Sequence, residues 1–339
     1  MKLLSIVVPC YNSEVYMRKC IDSLLIGGAK VEIIIVDDGS QKDRTPQIAD
    51  EYAKKYPAIV RTIHQENKGH GGSINTGIAN ATGLYFKVVD SDDWVDAKSY
   101  QIILKTLESI IKDTETVDVL FSNYVYEKEG ASKKYVMRYF YNFPLNKVFG
   151  WKEMKPLGPN YYVLMHSIIY RTALLKESGM ELPQHTFYVD NLYAFIPFSF
   201  VRTMYYLDVN FYRYYIGRND QSVNEAVMIS RMDQQLLVNN AMIEYMGCQK
   251  GLKGRQREFM IHSLSIIMTV SSIMLIRSGT KDSLKKKQQL WEYLKKQDLR
   301  IFLKIRWGIT GAVMNLPGKR GRKLSEYGYK LVQKVYGFN

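Results

Sequence analysis

The sequence has few of the residues that build disulfide frameworks and zinc sites. Its 339 residues include three cysteines and five histidines. The cysteines, Cys10, Cys20 and Cys248, are odd in number and have no metal-ligand spacing, which suits a reducing compartment better than a disulfide-bonded scaffold. The histidines have no ligand spacing either. We therefore expect no zinc centre.

The chain also lacks a recognisable targeting segment at its start. The apolar run that begins at Leu3 breaks at Pro9, and no small-residue cleavage site follows, so we interpret this run as a first strand rather than a signal peptide. One uncharged apolar stretch, residues 259–276, reaches the lower length limit of a membrane span. Its polar residues fall on one side at helical spacing. A span, an interfacial helix and a buried core helix all stay open.

Acidic residues are scarce in the last quarter of the chain. Residues 249–339 contain 20 Lys plus Arg against 5 Asp plus Glu, a net charge of +15, whereas residues 1–248 carry a net charge of −1. This split predicts an anionic partner, either nucleic acid or the acidic face of a membrane, with a solvated helical face as the alternative. Lysine clusters such as 285–287 interleave with aromatic residues, a mixture that favours a lipid headgroup region.

Short apolar, β-branched runs alternate with helix-like segments over the first 95 residues. The runs are residues 3–8, 31–36, 59–64 and 84–89. This alternation predicts an α/β fold with a mostly parallel, Rossmann-like sheet and flanking helices. Because parallel sheets bind ligands at the carboxyl ends of their strands, we expect the segments after these four strands to meet at one crevice.

Two of those segments have chemistry suited to a nucleotide. Asp38, followed by Gly39, can offer a carboxylate to a base N–H or a ribose hydroxyl where the backbone approaches closely. The glycine-rich segment 68–77 begins with Lys68 and Gly69 and brings backbone N–H groups to a helix start. Such a helix start favours a phosphate.

The segment 90–93, Asp-Ser-Asp-Asp, places three carboxylates within four residues. Their mutual repulsion would be relieved by a hard divalent cation such as Mg²⁺ or Mn²⁺, which takes oxygen ligands and can hold a diphosphate. The alternative is an acidic turn that caps the helix beginning near Asp96.

Taken together, these segments resemble the nucleotide-sugar half of the bacterial family 2 glycosyltransferases, which have the GT-A fold. The resemblance lies in SIVVPCYNSEVYMRKCIDSLL, VEIIIVDDGSQKDRT and HQENKGHGGSINTGIANATGLYFKVVDSDDW, and it resumes in HSIIYRTALLKESG, HTFYVDNLYAF and FYRYYIGRNDQSVN. It implies a glycosyltransferase domain over residues 1–225, with a nucleotide-sugar half (1–95) and an acceptor half (96–225). Residues 226–339 would form a helical, basic C-terminal region.

The resemblance implies a donor site for a UDP-sugar. In that site Asp38 would read the uracil or the ribose. The base pocket would be lined by Pro9, Tyr11 and Asn12. Two planar, multi-donor side chains would close over the diphosphate, namely Arg213 and Arg218.

The acidic segment would then hold the metal, and a later carboxylate would act as the base. Asp90 would lie near the ribose and contribute to the metal site, and Asp92 would be the main ligand of Mn²⁺ or Mg²⁺. Asp190 would accept the proton of the acceptor hydroxyl, although Val189 stands where the family usually has Glu. The alternative for Asp190 is the N-cap of a helix over residues 191–200. One base and direct displacement would invert the anomeric configuration.

The implied function is that of an inverting hexosyltransferase of cell-surface, capsular or exopolysaccharide synthesis. The donor would be a UDP-sugar, and the acceptor a lipid-linked or cell-wall glycan. The basic region would hold the protein peripherally at the inner, cytoplasmic face of the cell membrane. Two alternatives stay open: a catalytically silent nucleotide-sugar binder, and a nucleic-acid binder that uses the basic tail. No nucleic acid is expected, because no recognised nucleic-acid module accompanies the charge.

Overall fold

The four predicted strands are present in a computed structural model of the chain, which describes residues 2–113, 116–128, 130, 134–159, 161–217, 221 and 224–336. They are β1 (Leu4–Cys10), β2 (Val31–Asp37), β3 (Val60–His64) and β4 (Tyr85–Val88). All are parallel, in the order β3-β2-β1-β4. Their crossover connections contain α1 (Met17–Leu25), α2 (Thr45–Lys55) and α3 (Gly69–Asn80).

The sheet continues past β4 to ten strands. The further strands are β5 (Trp94–Val95), β6 (Val119–Lys128), β7 (Tyr135–Met137), β8 (Val148–Phe149), β9 (Ile168–Arg171) and β10 (Met204–Ile216). The complete order is β3-β2-β1-β4-β9-β6-β10-β5, with β7 beside β6 and β8 beside β10. β9 is antiparallel to both β4 and β6, whereas β10 is parallel to β6. The predicted α/β class, with a mostly parallel sheet and flanking helices, is confirmed.

The central strands β1 and β2 are buried along their whole length, as their nearly continuous apolar sequences require. Pro9 and Cys10 lie inside β1, opposite Val36 and Asp37 of β2. The first strand, predicted over residues 3–8, therefore extends two residues beyond its predicted end. The helices beside the rest of this sheet are α4 (Ala97–Asp113), α5 (Thr172–Glu177) and the single turn α6 (Asp190–Tyr193).

The chain divides into two compact units. The first consists of Met1–Lys155 with Val163–Ile216 and contains the sheet, and the second consists of Pro156–Tyr162 with Gly217–Asn339. The second unit is helical. Its helices are α7 (Glu225–Ser230), α8 (Met232–Cys248), α9 (Gly254–Ser278), α10 (Lys281–Gln297), α11 (Leu299–Arg306), α12 (Ile309–Met314) and α13 (Gly318–Tyr336).

Helix α9 contains the apolar stretch that left three interpretations open. It is long and apolar enough to cross a membrane, but 67% of its most apolar stretch is buried in the folded chain. Its polar side chains have partners there: Trp291 donates to Ser272 Oγ at 3.0 Å, and Ser271 Oγ donates to Asn239 at 3.0 Å. Burial with satisfied polar groups is typical of a core helix. The structure therefore favours the buried-core interpretation.

Candidate active site

The loops after the four parallel strands meet at the carboxyl ends of those strands. The N–H of Asn12, which has a φ of 49°, donates to Ser40 Oγ at 2.9 Å and so joins the loop after β1 to the loop after β2. The Ser13 and Ser91 hydroxyls are 2.8 Å apart and join the loop after β1 to the acidic segment after β4. Three segments from distant parts of the sequence thus form one set of connected loops.

Asp38 connects the loop after β2 to the start of α3. Its Oδ1 accepts from the main-chain N–H of Lys68 at 2.9 Å and from Gln65 Nε2 at 2.6 Å. Its Oδ2 accepts from the N–H of Gly69 at 2.7 Å. The carboxylate is buried. A nucleotide that reached it would have to bond a carboxylate oxygen that already accepts a hydrogen bond at the start of α3. The structure thus gives Asp38 an organising position within the loops.

The glycine-rich turn of α3 packs against the segment that leads to Asp190. A Cβ at Gly69 would lie 2.8 Å from the nitrogen of His185, and one at Gly71 would lie 2.5 Å from the oxygen of Pro183. Asn75 lies further along α3, and its side-chain amide forms two hydrogen bonds with the main chain of Leu182. Its Nδ2 donates to the Leu182 oxygen at 2.9 Å, and its Oδ1 accepts from the Leu182 N–H at 3.0 Å. These glycines therefore permit a close approach of two chain segments, a role that the sequence pattern did not predict.

The acidic segment forms a tight turn before β5. The N–H of Asp93 donates to the oxygen of Asp90 at 3.0 Å. Asp96 caps α4 instead, because its carboxylate accepts from the N–H of Ser99 at 3.0 Å. The helix beginning near Asp96 is therefore present, but the acidic segment is not its cap. Asp90 and Asp92 are partly exposed, whereas Asp93 is buried.

His70, in the first turn of α3, lies among the carboxylates of the site. Its Nε2 is 2.8 Å from Asp90 Oδ1. Burial opposes its charge, but Asp90, Asp190 and Asp92 raise the pKa of His70 above its usual value. The histidine therefore links the two ends of the predicted site, the acidic turn after β4 and the carboxylate at the start of α6.

Asp190 is the first residue of α6, and Val189 holds the N-cap position without a side-chain bond. The N-cap alternative for Asp190 is therefore wrong. Burial raises the pKa of Asp190 to about 6, and His70 works against that shift. Two non-glycine residues before it have left-handed backbone conformations, His185 with a φ of 49° and Tyr188 with a φ of 68°. Such backbone conformations cost conformational free energy in non-glycine residues, and they often mark segments whose position matters for function.

A second group of side chains, which the sequence did not reveal as a site, lies behind the acidic turn. Asp93 accepts from the Tyr212 hydroxyl at 2.6 Å and from the N–H of Tyr215 at 2.7 Å. His166 Nε2 lies 3.9 Å from Asp93 and 4.0 Å from Asp90. Lys87 is fully buried and donates to the main-chain oxygens of residues 165, 166 and 168 at 2.7–3.1 Å. A lysine inside the apolar run before Asp90 is the sequence signal from which this group could have been found.

The donor atoms of this site fit a divalent cation. Asp90, Asp93 and His166 each bring one donor atom within 4.8 Å of the others. Both ring nitrogens of His166 are buried with no hydrogen-bond partner in the described part of the chain. Burial lowers the pKa of His166 to about 3, so its ring is neutral and offers a lone pair. Two carboxylates and an imidazole suit Mn²⁺, and the carboxylates alone suit Mg²⁺.

The remaining predicted residues lie in different surroundings. Arg213 on β10 forms ion pairs with Asp96 at 3.2 Å and with Glu127 at 3.0 Å, so its guanidinium is committed to two carboxylates of the protein. Tyr11 is half exposed, and Pro9 is buried in the sheet. Arg218 lies outside the described residues.

Comparisons with known proteins identify the family of the chain. A family model described as "Glycosyl transferase family 2" matches residues 5–175. The chain is 45% identical over 107 residues to the uncharacterized glycosyltransferase EpsJ of Bacillus subtilis, which covers 31% of this chain and 30% of EpsJ. It is 35% identical over 139 residues to the minor teichoic acid biosynthesis protein GgaA of the same organism, which covers 39% and 30% of the two chains. The chain thus spans about a third of the length of these relatives.

Two solved structures share the fold. The crystal structure of S. aureus TarS 1-349 in complex with UDP-GlcNAc has a TM-score of 0.53 and 19% identity, over 98% of this chain and 92% of that one. The mannosyltransferase PcManGT from Pyrobaculum calidifontis in complex with GDP-Man and Mn²⁺ has a TM-score of 0.53 and 14% identity, over 99% and 88% of the two chains. At these identities the likeness concerns the fold alone.

Proposed function

Because the chain belongs to glycosyl transferase family 2, we propose that it transfers a sugar from a UDP-sugar to a hydroxyl group of a glycan acceptor, with inversion at the anomeric carbon. The observation that carries the proposal is the position of His70. It contacts Asp90 at 2.8 Å, and the charges of Asp90 and Asp190 both act on it. A donor-side carboxylate and a carboxylate with a raised pKa would thus border one crevice, as a single displacement requires.

The donor half of the proposal rests on the loops after β1, β2 and β4. Tyr11 and Asn12 border the crevice where a base would lie, and half-exposed Tyr11 has a ring face available for stacking. Asp38 fixes the start of α3 relative to these loops. A diphosphate would face the first turn of α3, where Lys68 and Gly69 lie, since helix N-termini favour anions. A UDP-sugar donor is also supported by the UDP-GlcNAc complex of TarS.

Asp90 and Asp92, which are partly exposed, would hold a Mn²⁺ or Mg²⁺ ion on the crevice side. His166 would add a nitrogen ligand from behind the turn. Such an ion, when bound, neutralises the charge that develops on the leaving diphosphate. Asp93, the other carboxylate of the group with Asp90 and His166, also accepts two hydrogen bonds from β10 that hold the turn in place.

The acceptor half rests on Asp190. Its pKa of about 6 leaves it ionised at neutral pH and still basic enough to accept a proton. The acceptor hydroxyl gives its proton to Asp190 while its oxygen attacks the anomeric carbon. The bond from that carbon to the diphosphate oxygen breaks, and UDP leaves with the electron pair. Attack opposite the leaving group inverts the configuration.

We further propose that the acceptor belongs to the cell surface, as a lipid-linked or cell-wall glycan, and that the transferred sugar is a hexose. The name of GgaA refers to teichoic acid biosynthesis. The net charge of +15 in residues 249–339 would keep the protein peripherally at the inner face of the membrane where lipid-linked acceptors are made. We expect no nucleic acid partner.

The test is a donor screen that needs no acceptor. Full-length protein with Mn²⁺ is incubated with a panel of UDP-sugars, and slow hydrolysis to UDP is measured. We expect one UDP-sugar to be hydrolysed faster than the others, and Asp190→Asn to lower that rate. Metal-dependent UDP binding without hydrolysis of any donor would instead identify a nucleotide-sugar binder. Retention of the anomeric configuration, seen by NMR with a glycan acceptor, would overturn the inverting mechanism.

A further inference from the structure

The second unit carries a row of exposed apolar side chains on α11, at the turn that follows it and at the first residue of α12. The inner face of α11 is buried through Ile301 and Ile305. On the outer face, Leu299 and Leu303 are 52% and 45% exposed. The outer ridge, as we name this row, consists of Leu299, Leu303, Trp307 and Ile309. Trp307 and Ile309 are 71% and 79% exposed, and so large an apolar row on a surface indicates a binding partner.

Helix α13 shows the same arrangement. Ser325 faces inward and donates to the oxygen of Val313 at 2.7 Å. Leu324, Tyr327 and Leu331 lie at helical spacing and are between 47% and 62% exposed. A helix that packs on its own unit normally turns its apolar stripe inward and its polar face to water. Here an apolar stripe faces outward.

Cations flank both apolar rows. Arg300 and Lys304 follow Leu299 and Leu303 by one residue each on α11, and both are exposed. Lys323 and Lys330 are exposed beside the apolar stripe of α13. Alternating apolar and cationic side chains suit the boundary between headgroups and acyl chains, where each kind meets its preferred surroundings.

A basic cavity adjoins the outer ridge through Arg300. It has a volume of about 470 Å³ and also includes the start of α9. Its cationic lining residues are Lys250, Lys253, Arg257 and Arg300. The carboxylate of Asp298 also lines it and lies 3.6 Å from Arg257. The volume of this cavity is large enough for a phosphate headgroup, and the excess of positive charge in its lining favours one.

We propose that the outer ridge and the basic cavity dock the second unit on a bilayer that contains anionic phospholipid. The ridge enters the boundary between headgroups and acyl chains, and a headgroup phosphate occupies the cavity. Charge selects this partner. A second copy of a region with a net charge of +15 would be repelled, and nucleic acid would leave the apolar ridge in water.

The cluster at residues 285–287 is not the docking site in this proposal. Lys286 pairs with Asp233 at 2.7 Å, and Lys287 donates to Asn315 at 2.9 Å. Burial lowers the pKa of Lys287 to about 8. Two of the three lysines therefore serve contacts within the unit, which leaves the cations of α11 and the cavity for the membrane.

The test is co-sedimentation of full-length protein with vesicles, without any donor sugar. We expect binding to vesicles of phosphatidylcholine mixed with phosphatidylglycerol and little binding to phosphatidylcholine alone. The double variant Leu303→Ser, Trp307→Ser should bind about tenfold more weakly or worse, because two large apolar side chains no longer leave water. The matched control is Leu237→Ser, on α8, where the leucine is 48% exposed. It should bind like the parent.

Charge reversal and fluorescence separate insertion from simple attraction. Arg300→Glu with Lys304→Glu should weaken binding to anionic vesicles, whereas Lys285→Glu should not. Tryptophan emission should shift to the blue when vesicles are added, and Trp307→Tyr should remove most of that shift. Thermal unfolding checks that each variant is folded.

Three results would overturn the proposal. The first is that the parent fails to bind anionic vesicles. The second is that the folded ridge variant binds as tightly as the parent. The third is a dimer in solution that the ridge variant converts to a monomer, since the ridge would then be covered by a second copy. Because no sugar donor enters the assay, failure of docking and failure of the proposed transferase function are seen separately.

Discussion

Lys87 donates from its ammonium group to the main-chain oxygen of His166 at 2.7 Å. β4 therefore carries the acidic turn at its end and also fixes the histidine that faces that turn. The same ammonium group bonds two further main-chain oxygens, those of Met165 and Ile168. Its three donors are matched by three acceptors. The contact joins β4 to the segment of His166, which leads directly into β9.

Replacement of Lys87 by methionine should therefore cost stability. Three buried acceptors would lose their donor, and we expect the free energy of unfolding to fall by about 2–4 kcal/mol, measured by urea unfolding. Lys105→Met is the control, because Lys105 is exposed on α4 and its loss should change stability by less than about 0.5 kcal/mol. Equal stability of the two variants would show that the buried ammonium group is dispensable.

Asp92→Asn should abolish metal-dependent binding of UDP, because the substitution removes the carboxylate that we propose as the main metal ligand and preserves the side-chain shape. Calorimetry with UDP and Mn²⁺ measures the effect. Asp282→Asn, an exposed change on α10, should bind like the parent. Undiminished affinity in a folded Asp92→Asn protein would remove Asp92 from the metal site.

His166→Phe should separate the two candidate metals. The aromatic ring would keep its packing against Tyr212 and Tyr214 but would lose the nitrogen donor. We expect UDP affinity to fall about tenfold with Mn²⁺ and to change by less than about threefold with Mg²⁺, which prefers oxygen ligands. If affinity with Mn²⁺ is unaltered, His166 is a packing residue of the site.

The pH dependence of transfer should report Asp190. A base is active when deprotonated, and burial raises the pKa of Asp190 to about 6. The rate should therefore rise with pH through about 6 and level off above it. Asp190→Asn should lower turnover about 10²-fold or more and remove this rise, with donor binding little changed.

His70→Gln offers a second test of the pKa of Asp190. His70 lowers the pKa of Asp190, so without its positive charge Asp190 should hold its proton to a higher pH. The rising limb of the profile should then move toward higher pH. A limb that stays in place, in a variant that still binds donor, would mean that another group controls the titration.

The sequence predicted those parts of the site that depend on local patterns. Four strands were evident from short apolar runs, and the turns that follow them were evident from Asp, Gly and Asn. His166 and Asn75 could not be found in this way, because their roles arise from contacts across 79 or more residues. Antiparallel pairing of β9 with β4 brings His166 behind the acidic turn, and no local periodicity encodes that pairing.

Arg213 illustrates the opposite case. The family resemblance and the planar, multi-donor side chain of this residue predicted a contact with the diphosphate. Its guanidinium instead forms ion pairs with Asp96 and Glu127. Both carboxylates come from elements far from Arg213 in the sequence. A charged side chain finds its partner only when the whole sheet is assembled, so the sequence alone could not show that this arginine was already paired.

The place of β9 between β4 and β6 limits how such a chain could be recombined with its relatives. A fragment that ended at residue 95 would leave β4 as an open edge with unpaired N–H and C=O groups. Lys87 would also lose its three main-chain acceptors. Exchange of C-terminal segments between relatives should therefore place the crossover after Arg171. Chimeras joined there would inherit β4, β9 and the contacts of Lys87 from one parent.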